Sequence, residues 1–330
     1  GYHVIGATMR LWTYSDSCNM KHEGCCAESA VEDARRVCDK LGIDFYVMNF
    51  KDMFKDKVVD YFVDEYIHGR TPNPCIACNK YLKFDALLKK ALAMGIDYVA
   101  TGHYAKIEKG EDGKYILRAS EAVKKDQSYV LYNFTQEQLA HTLMPLGGYN
   151  KDWVRQKAEE LGLGVAHKPD SQEICFVEDD DYAKFITDYS GYKPKEGDIL
   201  DVNGNVIGKH RGLIYYTIGQ RKGIGAYGRP MFVMKIDAEN NTITLGEKGM
   251  EFSNELTAYD VNFVSGEFPK ENMLITAKVR YQAPPAAAML CPQKDGTVKL
   301  MFPEPQRAVT PGQAVVFYDG DIVLGGGTVL

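Results

Sequence analysis

Residues 28–50 read ESAVEDARRVCDKLGIDFYVMNF, and the fold class follows from where their apolar positions fall. Val31, Ala34, Val37 or Cys38, and Leu41 recur at helical spacing, and Gly42 closes the run. Phe45 to Phe50 is then too short and too uniformly apolar for a helix and reads as a strand. Working outward, Val4 to Met9 predicts a preceding strand. A second helix follows, with Phe54, Val58, Tyr61 or Phe62, and Tyr66 on one face and Gly69 at its end. A loop rich in Pro and Cys leads into a helix through Phe84, Leu87, Leu88, Ala91 and Leu92, closed by Gly95, and Tyr98 to Thr101 is a third strand. Strand, helix and strand at this spacing imply a parallel sheet covered on both faces, whose ligands sit beyond the carboxyl ends of the strands. Met9 lies at one such end and Gly102-His103 at another; spacing alone reads Gly102 as a turn and His103 as its cap.

From about residue 195 the texture changes. Asp201-Val-Asn-Gly-Asn-Val206 is a hairpin signal, and short strand-like runs recur at Leu213–Ile218, Met231–Ile236, Thr242–Leu245, Leu274–Tyr281, Val298–Phe302 and Ala314–Tyr318. Asp319-Gly320 makes a tight turn before Ile322–Leu324, and Gly325-Gly326-Gly327 reads as a kink or bulge. Many short strands punctuated by Gly and Pro predict a small antiparallel barrel. Between the two textures, the stretch 188–250 as a whole is assigned to neither.

The chain has 330 residues, more than one ordinary core, so two or three domains are expected. Its 45% hydrophobic and 25% charged residues suit a soluble protein, and no long apolar run predicts a membrane span. With 39 basic and 45 acidic residues the net charge is −6, which argues against a nonspecific nucleic-acid coat but leaves room for a specific RNA enzyme with local basic patches. Eight cysteines are too few for a disulfide scaffold. The opening residues carry no signal-peptide pattern, so a reducing cytoplasm is expected, where clustered cysteines serve metals or catalysis. The start at Gly1, without Met, reads as though a segment lay upstream.

The sharpest local feature is Arg70-Thr-Pro-Asn-Pro-Cys75-Ile-Ala-Cys78-Asn79-Lys80. Two prolines fix an extended turn, Asn73 suits a pre-proline site, and Cys78 is expected near the first turn of a helix, where the macrodipole favours a thiolate. The Cys75–Cys78 pair is either a redox pair or half of a metal site. Cys175, in Lys168-Pro-Asp170-Ser171-Gln-Glu173-Ile-Cys175-Phe176, follows a polar turn and by itself is equally a buried structural residue. Cys38 and Cys291 read as structural. Cys18, Cys25 and Cys26 fit no zinc spacing and read as part of an exposed loop. Basic runs at Lys124-Lys125, Lys209-His210-Arg211 and Arg221-Lys222 read as solvated faces, whereas Arg280-Tyr281 suits unstacked RNA bases.

Taken together, the chain resembles the tRNA-specific 2-thiouridylases of the MnmA type. The resemblance rests on Gly1–Trp12 with Met9, Gly69-Arg-Thr-Pro-Asn-Pro-x-x-x-Cys78-Asn-Lys, Tyr98-Val-Ala-Thr-Gly-His-Tyr104, Lys125-Asp-Gln127, Asp170-Ser171 with Ile174-Cys175-Phe176, Tyr215-Tyr-Thr-Ile-Gly-Gln-Arg221, and Glu304-Pro-Gln-Arg-Ala308 through Tyr318, all in family order. It implies an α/β adenine-nucleotide-hydrolase-like domain with a parallel sheet (1–187), a small central domain (188–250) and a C-terminal antiparallel β-barrel (251–330). It also implies ATP-dependent thiolation of the tRNA wobble uridine. Cys175 would carry a persulfide supplied by a cysteine desulfurase or relay protein. Cys78 would be the nucleophile and end in a disulfide with Cys175. Met9 and Gly102 would flank ATP with its Mg2+. Asn73, Pro74 and Cys75 would line the target base, and His103, Lys125, Asp126, Gln127, Arg280, Tyr281 and Gln313 would contact tRNA. The chain is expected to act as a cytoplasmic monomer without membrane contact.

Two departures from the family qualify these expectations. The family's Ser-Gly-Gly-Val-Asp-Ser-Ser phosphate loop is absent from the sequence, so the chain as given is expected to adenylate RNA inefficiently. Position 75 is Cys where many relatives carry Asp, which raises an iron–sulfur cluster on Cys75, Cys78 and Cys175. The rival expectations are a catalytically incompetent tRNA-binding fragment and a thiol- or metal-sensing protein.

Overall fold

The computed structural model describes residues 1–12, 28–122, 125–168, 174–177 and 180–330, and the alternation read from 28–50 holds. Strands β1 (Gly6–Arg10) and β2 (Phe45–Asn49) pair in parallel, Gly6 opposite Phe45 and Arg10 opposite Asn49, with the helix Glu28–Leu41 between them in sequence. Gly42 ends that helix at φ +68°, a left-handed position that glycine takes without steric penalty. Residues 51–67 form a helical run with a π-helical turn at Lys55–Val59, and Phe54, Val58, Val59 and Phe62 bury its inner face. A further helical run occupies 74–93, π-helical over Asn79–Ala86.

Strand β3 (Val99–Ala100), the antiparallel hairpin β4 (Ala105–Lys109) and β5 (Tyr115–Ala119), and β6 (Thr142–Leu143) follow. β3 and β6 pair in parallel. Among the described residues the expected parallel sheet thus consists of two two-stranded pieces.

The stretch 188–250 holds β7 (Gly197–Leu200), β8 (Val206–His210), β9 (Met231–Asp237) and β10 (Thr242–Glu247) in the order β8-β7-β10-β9, the last two being the runs expected at Met231–Ile236 and Thr242–Leu245. Ile199, Val233, Ile243 and Leu245 are its buried centre. The Asn-Gly turn forms as predicted: Gly204 takes φ +85°, and the Asp201 carboxylate accepts the amides of Asn203 and Asn205 at 2.8 and 2.9 Å. The strand expected at Leu213–Ile218 does not form; Leu213–Tyr215 is a 3-10 turn. Its amides bond locally, Tyr216 to the Leu213 carbonyl at 3.0 Å, because the chain enters at Gly212 with φ +128° pressed against Pro194. Leu213 fills the central core while Ile214 fills the N-terminal one, so the turn joins two domains.

The C-terminal part comprises β11 (Phe252–Phe263), β12 (Met273–Lys278), β13 (Ala286–Pro292), β14 (Val298–Arg307), β15 (Ala314–Asp319) and β16 (Ile322–Val329). Their order is β11-β14-β13-β12-β15-β16, and β16 pairs back onto β11, closing a six-stranded antiparallel barrel. β5 joins β16 at Arg118 and Ile322, which appends the β4–β5 hairpin to the barrel sheet. The triple glycine marks a close approach: a Cβ on Gly325 would stand 2.1 Å from the Asn262 carbonyl oxygen, and one on Gly326 2.7 Å from the Tyr132 ring. One core cluster runs across the junction, with Ile76, Phe84 and Leu117 packed with Val316, Tyr318 and Val323. No helix among the described residues is long and apolar enough to cross a membrane.

Candidate catalytic site

Asn73 begins the helical run at 74–93. Its Oδ1 accepts the amides of Cys75 at 3.1 Å and Ile76 at 3.3 Å, and Pro74 takes the first helical position, where its missing N–H is no loss. The helix therefore starts earlier than the sequence predicted, and Cys75, not Cys78, occupies the first turn. The two thiols diverge: Cys75 is exposed, whereas Cys78 is 8% exposed and joins the apolar cluster of Phe54, Phe62 and Leu82. Replacing Asn73 by Ala should lower stability by about 1 kcal/mol, while Asn73→Asp, which keeps a capping oxygen, should cost far less. Urea unfolding of both variants separates a cap from a purely substrate-facing residue.

Cys175 is partly buried and packs against the same cluster as Cys78. Its neighbour Phe176 fixes it there, meeting Phe54 edge-on at 5.6 Å and Phe62 at 5.2 Å. Asp170 and Ser171, singled out beside Cys175, lie outside the described residues, as do Lys124 and the Cys18, Cys25 and Cys26 group. Among the described residues no three His, Cys, Asp or Glu side chains gather closely enough to hold a metal ion. The three-cysteine cluster set expected from Cys75, Cys78 and Cys175 does not fit this arrangement, since Cys75 faces solvent while the other two face the apolar core.

The segment before Asn73 is held from two sides. Glu65, 5% exposed, receives both Nε and Nη2 of Arg70, with the Nε contact at 2.8 Å. This pair was not legible in the sequence, where Glu65 is one acidic residue on an apolar helix. Thr71 then bonds the barrel: its amide donates to the Pro311 carbonyl at 2.9 Å, and Gln313 Nε2 donates to its carbonyl at 3.0 Å. Gly312, at φ +87°, lets this contact form, because a Cβ there would lie 2.9 Å from the Thr71 nitrogen.

The remaining sequence-predicted residues divide into two groups. Gln127 exchanges bonds with Tyr104, its Oε1 accepting the Tyr104 amide at 3.0 Å. Asp126 accepts the amides of Ser120 and Ser128 and the Ser128 hydroxyl, while its own carbonyl accepts the Tyr281 hydroxyl at 3.0 Å. Lys125, Tyr281 and the exposed Cys75 are therefore near neighbours electrostatically. Arg280 turns inward: its Nη2 donates to Ile218 at 3.2 Å, to Thr310 Oγ1 at 2.7 Å and to Ala308, tying the central domain to the barrel. Met9 is partly buried on β1 against the Cys78 cluster, and Gly102 is exposed after β3, where a Cβ would meet only Leu146, at 3.6 Å. These two belong to different two-stranded pieces.

His103 bonds Thr101 Oγ1 at 2.8 Å and packs on the Phe84 ring. Burial, with Lys83 adding repulsion, pushes its pKa from 6.5 down to about 3. The folded imidazole thus stays neutral while the unfolded one takes a proton. Stability from this group is complete above pH 6.5 and is lost as pH falls towards 3, by up to about 1.4 kcal/mol per pH unit. His103→Gln should flatten that part of the stability–pH curve; an unchanged slope would place the titrating group elsewhere.

Comparison with known proteins accounts for the whole chain. Residues 1–179 match the family described as "tRNA methyl transferase HUP domain", 183–247 the "tRNA methyl transferase PRC-barrel domain" and 253–329 the "Aminomethyltransferase beta-barrel domain". All of the chain aligns with tRNA-specific 2-thiouridylase MnmA of Acetivibrio thermocellus, at 58% identity over 92% of that protein. The proteins of the same name from Clostridioides difficile and Clostridium botulinum (strain Alaska E43) are 56% and 55% identical, each covered over 91%. The domain descriptions speak of methyl transfer, but these relatives, which span all three domains at once, are named for thiolation. With three domains matched in order and more than half of all positions identical, the chain belongs to the tRNA-specific 2-thiouridylase family.

Proposed function

We propose that this protein thiolates the 2-position of the wobble uridine of tRNA, using ATP to activate the base and a cysteine persulfide to deliver sulfur. The observation that carries the reading is the packing of Cys78 and Cys175, remote in sequence, against one apolar cluster. Sulfur transfer needs one thiol to carry the atom and a second to resolve the linkage.

ATP with its Mg2+ enters as a substrate: the uridine 2-oxygen attacks the α-phosphorus, pyrophosphate departs, and a poor leaving group becomes AMP. The terminal sulfur of the Cys175 persulfide attacks the activated carbon and expels AMP, leaving the base joined to Cys175 through a sulfur–sulfur bond. The Cys78 thiolate attacks the Cys175 sulfur. The electron pair of the broken bond stays on the thiocarbonyl, and a Cys78–Cys175 disulfide remains for external thiols to reduce. Met9 and Gly102 flank the nucleotide, and Asn73, Pro74 and Cys75 receive the extruded base. His103, Lys125, Asp126, Gln127, Arg280, Tyr281 and Gln313 make up the surface that contacts tRNA, and the bonds Asp126 makes hold Tyr281 within it. In this reading the chain works as a cytoplasmic monomer divided at 1–187, 188–250 and 251–330, with a desulfurase or relay protein as sulfur donor. Nucleoside mass spectrometry of tRNA incubated with the full-length protein, ATP and a persulfide donor tests it. A product without 2-thiouridine, from protein that binds both tRNA and ATP, would overturn the reading.

A further inference from the structure

One cation beside this site has no part in the scheme above. Lys278 ends β12 on the outer face of the barrel, since its alternating neighbours Ile275, Ala277 and Val279 fill the barrel core. Its ammonium lies 5.9 Å from the ring centroid of Tyr129 and 5.8 Å from that of Tyr281, and the two rings meet edge-on at 5.7 Å. Tyr129 is fully buried, its hydroxyl donating to the Ala314 carbonyl at 2.7 Å, so one wall of the notch is rigid. Tyr281 is 40% exposed and tied to Asp126, so the other wall opens to solvent, and Cys75 acts on it electrostatically.

Aromatic rings hold a cation in place without neutralising it. The Lys278 ammonium makes no hydrogen bond or ion pair among the described residues; its contacts are the two rings. Asp126 attracts it from a distance, but that carboxylate is already occupied by Ser120 and Ser128. Partial burial depresses the ammonium pKa, as expected for a cation short of water and of a counter-ion. Lys125 acts on the same Tyr281 ring from its own segment, so positive potential flanks the ring from two elements.

We propose that Lys278 binds a backbone phosphate of the RNA, at the nucleotide next to the base presented to Cys75 and Cys78. The inference rests on the tRNA reading above and adds to it an anchor that fixes strand position. A lysine ammonium suits a phosphate as a point charge, and the open face of Tyr281 offers a stacking surface to the neighbouring base. The triphosphate of ATP presents the same anion chemistry, so the test must separate the two sources.

Binding of a wobble-uridine tRNA to the full-length protein is measured without ATP across a series of salt concentrations, and ATP binding is measured without tRNA. Lys278→Gln should weaken tRNA binding several-fold and make the plot of log affinity against log salt shallower by about 1, with ATP binding unchanged. Lys278→Arg should keep both the affinity and the slope. Lys278→Met, which keeps the apolar stem, should repeat the Gln result and guards against misfolding in one variant. An unchanged slope in Gln and Met variants overturns the proposal, as does a loss confined to ATP binding. Wild-type protein that fails to bind tRNA removes the underlying reading as well, whereas wild-type binding beside indifferent variants removes this inference alone.

Discussion

Replacing Cys175 by Ser should reduce 2-thiouridine formation to background, a loss on the order of 10^4-fold or more, because the carrier atom itself is removed. The change is nearly isosteric, and Phe176 keeps the segment seated among Phe54 and Phe62, so the thermal midpoint and tRNA affinity should hold. Pyrophosphate release on mixing with ATP and tRNA should persist, since activating the base needs no thiol. Cys78→Ser should fail one step later. With persulfide-loaded protein, the base should remain joined to Cys175 and be freed by added reductant, a species that mass spectrometry of the undigested protein detects. Thiolation surviving in the Cys175 variant would end the carrier assignment.

Glu65→Ala should destabilise the protein by about 3 kcal/mol, since it strips the Arg70 guanidinium of its buried carboxylate and leaves it only the exposed Asp64, 3.8 Å away. The partial exposure of Arg70 keeps the figure at the lower end of the range for buried pairs. The double variant Glu65→Leu with Arg70→Met should recover much of that loss, because the orphaned charge and not the missing attraction is what costs stability. Activity should not recover with it. Arg70 precedes Thr71, whose amide and carbonyl both bond the barrel loop, and through Thr71 it sets the path into Asn73 and the two cysteines. Thermal unfolding and thiolation rate measured on the same preparations would show the two effects part company; a double variant no more stable than Glu65→Ala would refute the orphaned-charge account.

What the sequence disclosed and what it hid follow from the range of the interactions. The helix over 28–41, strand β2 and the Asn-Gly hairpin are set by residues within a few positions of one another, and each formed where periodicity placed it. The strands at 252–263 and 286–292 were not read, because their alternation is blunted by polar and alanine-rich stretches and they are held by partners across the barrel. Leu213–Ile218 looked like a strand because its apolar residues serve two different cores. At the site, Asn73, Cys78 and Cys175 stood out by motif, and the structure adds the apolar cluster against which both thiols pack. Glu65 and Lys278 did not stand out. Their significance lies in partners brought in by tertiary folding: the helix-end Arg70 for one, and for the other two tyrosines from different domains.

The hairpin β4–β5 leaves the ribosome long before β16, its partner, about 200 residues further along the chain. Until then the outer edge of β5 carries unmatched amides and carbonyls, the kind of template on which nascent chains adhere to one another. Cutting the chain before Ile322 therefore acts on residues around Arg118, and versions shortened there should precipitate through a segment that the deletion never touched.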